Sequence, residues 1–167
     1  MQKVVIRPMR PKDTPAIAKM MRALAAVHGD KAKAKAGHFV TYCLGPQKLA
    51  EVLVAFVKNK PVGFALTYDR MNFVRGKITR TLDLLFVEET HRHKGIGRGL
   101  IAAVVRNMSS EGHTRLSIGA AENNPASNLF YQSLGLKAQT DTAKKYVIQG
   151  TALKRFAKLV QTVPATR

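Results

Sequence analysis

The apolar residues of this chain follow two spacings, a period of two residues in some segments and a helical period in others. Residues 3–7 form a short β-rich run. Residues 12–30 then combine helix-start residues with apolar positions at helical spacing. Three further apolar runs have strand character and are separated by turns rich in Gly, Pro and Asn; they cover residues 49–57, 62–68 and 78–87. We expect these three strands to form an antiparallel meander.

The second half of the chain continues the alternation. An amphipathic helix is predicted from residue 100, a short strand within 111–120, and a further helix over 124–134 that ends at Gly135. One or two last strands are predicted within 137–150, and an apolar stripe predicts a packed terminal helix over 151–160. The fold class is therefore α/β (α+β), with a mixed, mostly antiparallel central sheet and flanking helices.

The joint between strand 78–87 and the following helix carries unusual chemistry, "HRHKGIGRGL" at residues 91–100. Gly95, Gly97 and Gly99 let the backbone approach a ligand closely, and the start of a helix offers unpaired amides that suit phosphate oxygens. Basic side chains flank the glycines. These features predict a pyrophosphate site, although a basic turn without a ligand remains the alternative. The Walker and Rossmann patterns are both absent.

Composition narrows the class of protein. A length of 167 residues fits one domain over residues 1–167. No apolar run is long enough to cross a bilayer, so we expect no membrane partner, and the single cysteine, Cys43, agrees with a cytoplasmic protein without a metal site. The net charge of +18 attracts polyanions. Nucleic-acid binding is nevertheless not favoured, because no aromatic-rich basic stretch is evident and the run at 29–38 reads as a solvated loop or helix face.

Two motifs resemble the GNAT family of N-acetyltransferases. The family's pyrophosphate loop reads [QR]-x-x-G-x-[GA], and "RHKGIG" at residues 92–97 matches it. The family's later segment, N-x-x-[AS]-x-x-x-Y followed by L-G, resembles "NPASNLFYQSLG" at residues 124–135. Within the family, "TLDLLFV" and "YVIQGTALKRFA" are most similar to the diamine and thialysine acetyltransferases. The order of elements resembles the family over nearly the whole chain, which implies the GNAT fold with a splayed pair of strands.

The resemblance implies acetyl-CoA as cosubstrate and assigns its binding residues. The pantetheine arm would insert beside the strand that ends near residue 87, and the pyrophosphate would lie on the loop. On a helix, Asn124, Ser127 and Tyr131 share one polar stripe that lines the cofactor groove. The residues assigned to the cofactor are Leu85, Phe86, Val87, Arg92, His93, Lys94, Gly95, Ile96, Gly97, Arg98, Asn124, Ser127 and Tyr131.

Two residues are predicted to be catalytic. The resemblance places Tyr131 near the thioester sulfur, where it can protonate the departing thiolate; the alternative is a half-buried structural tyrosine. The acceptor amine must lose a proton before it attacks. Asp83 stands where the family often has a glutamate base, while the alternative is a strand aspartate that faces solvent or pairs with Arg80 or Arg115.

The acceptor is left open between several amines. A polyamine, diamine or lysine-like small molecule fits the subgroup resemblance, but the second acidic residue of the diamine enzymes is replaced here by Leu84. An amine on a protein or an aminoacyl-tRNA is the alternative, as is a basic nucleic-acid-binding module without turnover. Transfer is expected to be direct and sequential, since nothing places Cys43 near the thioester. The apolar tail is expected to contribute to a homodimer.

Overall fold

A computed structural model describes residues 3–27, 29–74, 76–120, 124–139, 148–152 and 155. The chain divides into two compact units, Met1–Leu134 and Gly135–Arg167. Most of the predicted last strands and terminal helix lie outside the described residues. Those elements therefore stay predictions. The homodimer and the single domain over residues 1–167 also stay predictions.

The first unit is built on a five-stranded sheet whose strands are ordered as they occur in the chain. The first four strands pair in antiparallel fashion and the last pair is parallel. The strands are β1 (Val4–Pro8), β2 (Glu51–Val57), β3 (Lys60–Asn72), β4 (Lys77–Val87) and β5 (Leu116–Ile118). The sheet confirms the predicted fold class and the meander, although β3 and β4 extend further toward their connecting turn than the pattern predicts.

Among the described residues of the first unit, three helices follow the predicted stripes, and one short helix was not predicted. They are α1 (Thr14–Val27), the single turn α2 (Ala36–Phe39), α3 (Ile96–Ser110) and α4 (Pro125–Ser133). A 3₁₀ turn over Pro11–Asp13 precedes α1, and the Asp13 carboxylate accepts a hydrogen bond from the Arg10 amide at 2.7 Å. Gly135, with φ +79°, follows α4 as expected for a residue just beyond a helix end.

Two hydrophobic clusters cover the two faces of the sheet. The α1-side cluster joins α1 and α2 to alternate strand residues such as Phe64 and Phe86. The α3-side cluster joins α3 to the other strand face, including Ala65 and Leu82. Because both faces are covered, the central strands are buried on both sides, which explains why β2 is apolar at almost every position.

The connection between α1 and β2 agrees with the predicted solvated loop and ends in a short helix. Residues 29–35 form an irregular segment, and α2 follows, continued by a π-helical turn at Val40–Leu44. Exposure alternates residue by residue from residue 31 to residue 36. The alternation buries alanine and exposes lysine, as in an extended chain. No described helix is long and apolar enough to cross a bilayer.

Candidate functional site

The loop between β4 and α3 has left-handed backbone at two positions. His93 has φ +60° and Gly95, the residue before α3, has φ +77°. A Cβ added at Gly95 would meet no atom within 4 Å. Glycine is therefore favoured at residue 95 by its backbone conformation and not by lack of space.

This backbone leaves a row of amides outside the hydrogen-bonding pattern of α3. The first internal hydrogen bond of α3 runs from the Gly99 amide to the Gly95 carbonyl oxygen at 2.9 Å. Within the described part of the chain, the six amides of residues 93–98 donate to no acceptor. Six free donors beside the positive end of a helix dipole fit the oxygens of a pyrophosphate.

Two basic side chains of the loop stabilise its conformation by hydrogen bonds to nearby carbonyl oxygens. The Arg92 Nε donates to the Val87 carbonyl oxygen at 3.1 Å, and the Lys94 ammonium donates to the Thr90 carbonyl oxygen at 2.7 Å. His93 and Arg98 are exposed. The loop is thus held by two of its own cations, which leaves the amides as its preorganised anion donors.

Next to this loop, the sheet opens along one edge of β4. The parallel pairing with β5 covers only three residue pairs and ends at Leu82 with Ile118, while β4 continues to Val87. On its other edge β4 remains paired with β3 as far as Gly63 with Val87. In the described residues, the last five residues of β4 therefore have no β5 partner, and the backbone groups on this edge suit pairing with an extended amide-bearing molecule.

A β-bulge sits at the point where the strands part. Thr67 of β3 pairs with Leu82 and Leu66 pairs with Leu84, so Asp83 has no partner on β3. Leu82 consequently faces the α3-side cluster and Leu84 faces the α1-side cluster. Asp83 is exposed.

Helix α4 packs directly on the start of α3. A Cβ at Gly97 would lie 3.2 Å from Cζ of Phe130, so this position has little space for a side chain. The Phe130 and Tyr131 rings are 5.3 Å apart between centroids. Tyr131 packs on the α3-side cluster together with Leu85 and Val87 of β4. The structure thus brings the predicted acid, the open strand edge and the amide loop to one face of the sheet.

Burial raises the pKa of the Tyr131 phenol. The hydroxyl therefore stays protonated well above neutral pH and can serve as a proton donor. Asp83 makes no ion pair with a described residue. In particular Arg80, one of its two suggested partners, instead binds Asp69, Glu51 and Glu111.

The other residues of the polar stripe are partly used by the helix itself. The Asn124 Oδ1 caps α4 by accepting from the Ser127 amide at 3.1 Å, and the Asn128 side chain donates to the Asn124 carbonyl oxygen at 3.0 Å. The Asn124 side-chain carbonyl is thereby occupied, and its amide nitrogen is the group left to donate to a ligand. Phe86 differs from its neighbours because its side chain is buried in the α1-side cluster, so only its backbone could contact a ligand at the open edge of β4.

Sequence reasoning missed the ion-pair network around Arg80, which is only 3% exposed. Its guanidinium binds Asp69 through two hydrogen bonds of 2.6 and 3.0 Å, Glu51 at 2.8 Å, and Glu111. His113 lies near Asp69 and Glu111, and one oxygen or nitrogen from each of these three residues falls within 4.8 Å of the others. Arg80 binds the carboxylates of both Asp69 and Glu111. We therefore interpret these residues, together with His113, as an ion-pair network that stabilises the fold.

Comparison with known proteins places the chain among acetyltransferases. The model of the Acetyltransferase (GNAT) family matches residues 21–136. No curated protein sequence is significantly similar to the chain.

Solved structures share the fold at low sequence identity. An integron cassette protein from the mobile metagenome of V. cholerae has 21% identity and a TM-score of 0.75, covering 95% of this chain and 99% of that one. An aminoglycoside acetyltransferase from an uncultured soil metagenomic sample has 22% identity and a TM-score of 0.73, covering 88% and 97%. A ribosomal-protein-alanine N-acetyltransferase from Brucella melitensis biovar Abortus 2308 has 24% identity and a TM-score of 0.69, covering 89% and 100%.

Proposed function

Because the chain belongs to the acetyltransferase (GNAT) family, we propose that it transfers an acetyl group from acetyl-CoA directly to a primary amine. The observation that carries this proposal is the row of six free amides at residues 93–98 beside the open edge of β4. A pyrophosphate on the amides leaves the pantetheine to run along residues 85–87. The thioester then lies toward the bulge.

The acetyl donor supplies an activated thioester. The protein positions this donor and transfers protons to and from the reacting groups. Backbone amides hold the donor without a charged side chain that must be reordered, so the reacting carbonyl is fixed before the amine arrives. Tyr131 gives its proton to the sulfur as the bond to the acetyl group breaks. A tyrosine is protonated at neutral pH, and burial, which raises the pKa of this phenol, keeps the proton in place until the thiolate departs.

Asp83 is the proposed proton acceptor for the amine, directly or through water. Its carboxylate is exposed on the bulge, where the regular pairing of β4 is interrupted. No described residue forms an ion pair with Asp83, so its oxygens are available to accept a hydrogen bond from the amine or from a bridging water. Cys43 is buried on the opposite face with Phe39, and burial raises the pKa of its thiol, which argues against a covalent thiol route.

The acceptor is proposed to be an accessible primary amine. Polyamines, diamines and lysine-like amines remain candidates, and the similar structures add two more, since their names specify an aminoglycoside and a ribosomal-protein alanine as acceptors. Proteins of the same fold thus act on both small and macromolecular amines, so both kinds belong in the test.

A thiol-release assay tests the proposal. The purified chain is mixed with acetyl-CoA and, in turn, with polyamines, lysine analogues, aminoglycosides and peptides with an N-terminal alanine. Thiol release above the no-amine rate, together with acetylated amine by mass spectrometry, is the expected result for at least one class. Tyr131→Phe is the matched inactive control. Release that equals the no-amine rate for every class would count against an amine acceptor.

A further inference from the structure

A row of lysines on the α1–β2 connection forms a surface that acetyl transfer does not require. Between residues 31 and 36, lysines at odd positions are exposed and alanines at even positions are half-buried. Ala34 and Ala36 pack on the α1-side cluster. The alanines therefore hold the segment against the protein while the lysines point away from it.

The spacing of the row follows from its extended backbone. Lys35 has φ −107° and ψ 163°, and side chains on one side of an extended chain repeat every roughly 6.6 Å. We call Lys31, Lys33 and Lys35 the lysine row. It offers three ammonium groups along one line on a protein of net charge +18.

An exposed pair of rings lies at the end of the row. The Lys35 amide donates to Nδ1 of His38 at 3.2 Å, and the His38 ring lies 6.3 Å from that of Tyr42 between centroids. Tyr42 is 44% exposed and His38 is also exposed. Cations that follow a backbone, next to rings on which bases stack, are the two elements of a sequence-tolerant surface for single-stranded nucleic acid.

We infer that the lysine row and the His38–Tyr42 pair bind a single strand of nucleic acid, with phosphates on the lysines and a base stacked on Tyr42. An acidic peptide would also be attracted by the row, but it would gain little from exposed rings. The inference does not depend on acetyl transfer.

The main test compares two triple variants of equal charge. Lys31→Gln/Lys33→Gln/Lys35→Gln removes the row, while Lys12→Gln/Lys58→Gln/Lys60→Gln removes three exposed lysines elsewhere. Affinity for a 20-nucleotide single-stranded RNA is measured by fluorescence anisotropy over a salt series. The row variant is expected to bind about ten-fold more weakly than the control variant, and the slope of log K against log salt should fall by about 2, since each phosphate contact contributes about 0.7.

A second comparison isolates the stacking ring. Tyr42→Ala should weaken RNA binding by about ten-fold, within the range for the loss of one stacked base, whereas Tyr68→Ala should not. Tyr68 is a fair control because it is 37% exposed and lies on β3. Thermal melts of all four variants establish that each is folded.

Three results would overturn the inference. Equal losses in both triple variants would show that only net charge attracts RNA, and an absence of salt-dependent binding by the wild type would remove the surface altogether. A row variant that loses poly-glutamate binding but keeps RNA binding would indicate an acidic protein partner instead. Turnover of a small amine, measured in parallel, should be unchanged in the row variant, so failure of this inference is distinct from failure of the proposed function.

Discussion

A Cβ at Gly97 would lie 3.2 Å from Cζ of Phe130, which couples the anion-binding start of α3 to the helix that carries Tyr131. The two motifs recognised in the sequence are therefore in contact. A change at one of them is expected to disturb the other.

Gly97→Val should lower CoA affinity by at least about ten-fold, because the new side chain must displace Phe130 or the amides of the loop. Isothermal calorimetry with CoA measures this directly. Gly37→Val is the matched control, since a Cβ at Gly37 meets no atom within 4 Å and its φ is not positive. Unchanged CoA affinity in a folded Gly97→Val protein would contradict the pyrophosphate assignment.

Tyr131→Phe should reduce kcat while leaving the KM for acetyl-CoA nearly unchanged, because the ring remains and only the proton donor is lost. General acid assistance contributes typically about 10²- to 10⁴-fold, and a thiol is a good leaving group, so a loss near the lower end is expected. Tyr68→Phe is the control, and steady-state kinetics with the best amine supply the measurement. Full turnover by Tyr131→Phe would remove this residue from the mechanism.

The raised pKa of Tyr131 also predicts a stability effect at high pH. Burial disfavours the phenolate in the folded state, so this contribution to stability is constant below about pH 10, the ordinary tyrosine value, and is lost as pH rises above it. Tyr131→Phe should lose less stability than the wild type between neutral pH and pH 11. Urea unfolding at several pH values provides the comparison, and identical pH dependence would contradict the burial of the hydroxyl.

Asp83→Asn should lower the rate most at neutral pH and recover part of it as pH rises, because more of the substrate amine then loses its proton unaided. The rate–pH profile is the informative measurement. Asp30→Asn, another exposed aspartate, should leave the profile unchanged. A uniform loss at every pH would indicate that Asp83 positions the substrate and does not accept its proton.

Arg80→Leu should destabilise the fold, because three carboxylates would lose their shared guanidinium. We expect about 2 kcal/mol, below the 3–5 kcal/mol of fully buried pairs, since the carboxylates are 31–43% exposed. Arg106→Leu, at an exposed site on α3, should cost less than about 0.5 kcal/mol. Chemical denaturation of both variants tests the difference, and equal unfolding free energies would show that the network adds nothing.

Acid should weaken the fold through Asp13. Hydrogen bonds from Arg7, at 2.7 and 3.1 Å, outweigh burial and lower the pKa of this carboxyl. A lowered pKa means that the contribution is present above the ordinary value near 3.9 and is lost as pH falls below it. Asp13→Asn should therefore be less stable than the wild type at pH 7, with the difference shrinking toward pH 2. A difference that stays constant over that range would point to lost packing alone.

Local features of the chain were predictable from sequence because their signals are local. The stripe of α3 and the motif of α4 each lie within about a dozen residues, and the structure has a helix at both places. The start of α3 differs from the pattern, because the helix begins at Ile96 and includes Gly97 and Gly99, which the pattern assigns to the preceding turn. The strand order of the meander could also be predicted, because consecutive strands joined by short turns usually pair with each other.

Other features could not be predicted because they depend on distant residues. The bulge at Asp83 exists only relative to the pairing of β3, and the Arg80 network collects carboxylates from β2, β3 and the end of α3. The extended lysine row was visible as alternating Lys and Ala, but alanine is too weak a hydrophobic signal to assign a buried side. The packing of the alanines on the protein became evident only with the α1-side cluster in place.

The bulge also determines which insertions and deletions β4 can tolerate. Leu82 and Leu84 already face opposite sides of the sheet, so the chain without Asp83 would alternate regularly and keep every apolar residue of β4 on its present face. Removal of a neighbouring strand residue would instead move every later side chain of β4 to the opposite face of the sheet. Asp83 is thus an extra residue that the two cores do not need, and a chain from which it is deleted should fold yet fail to acetylate.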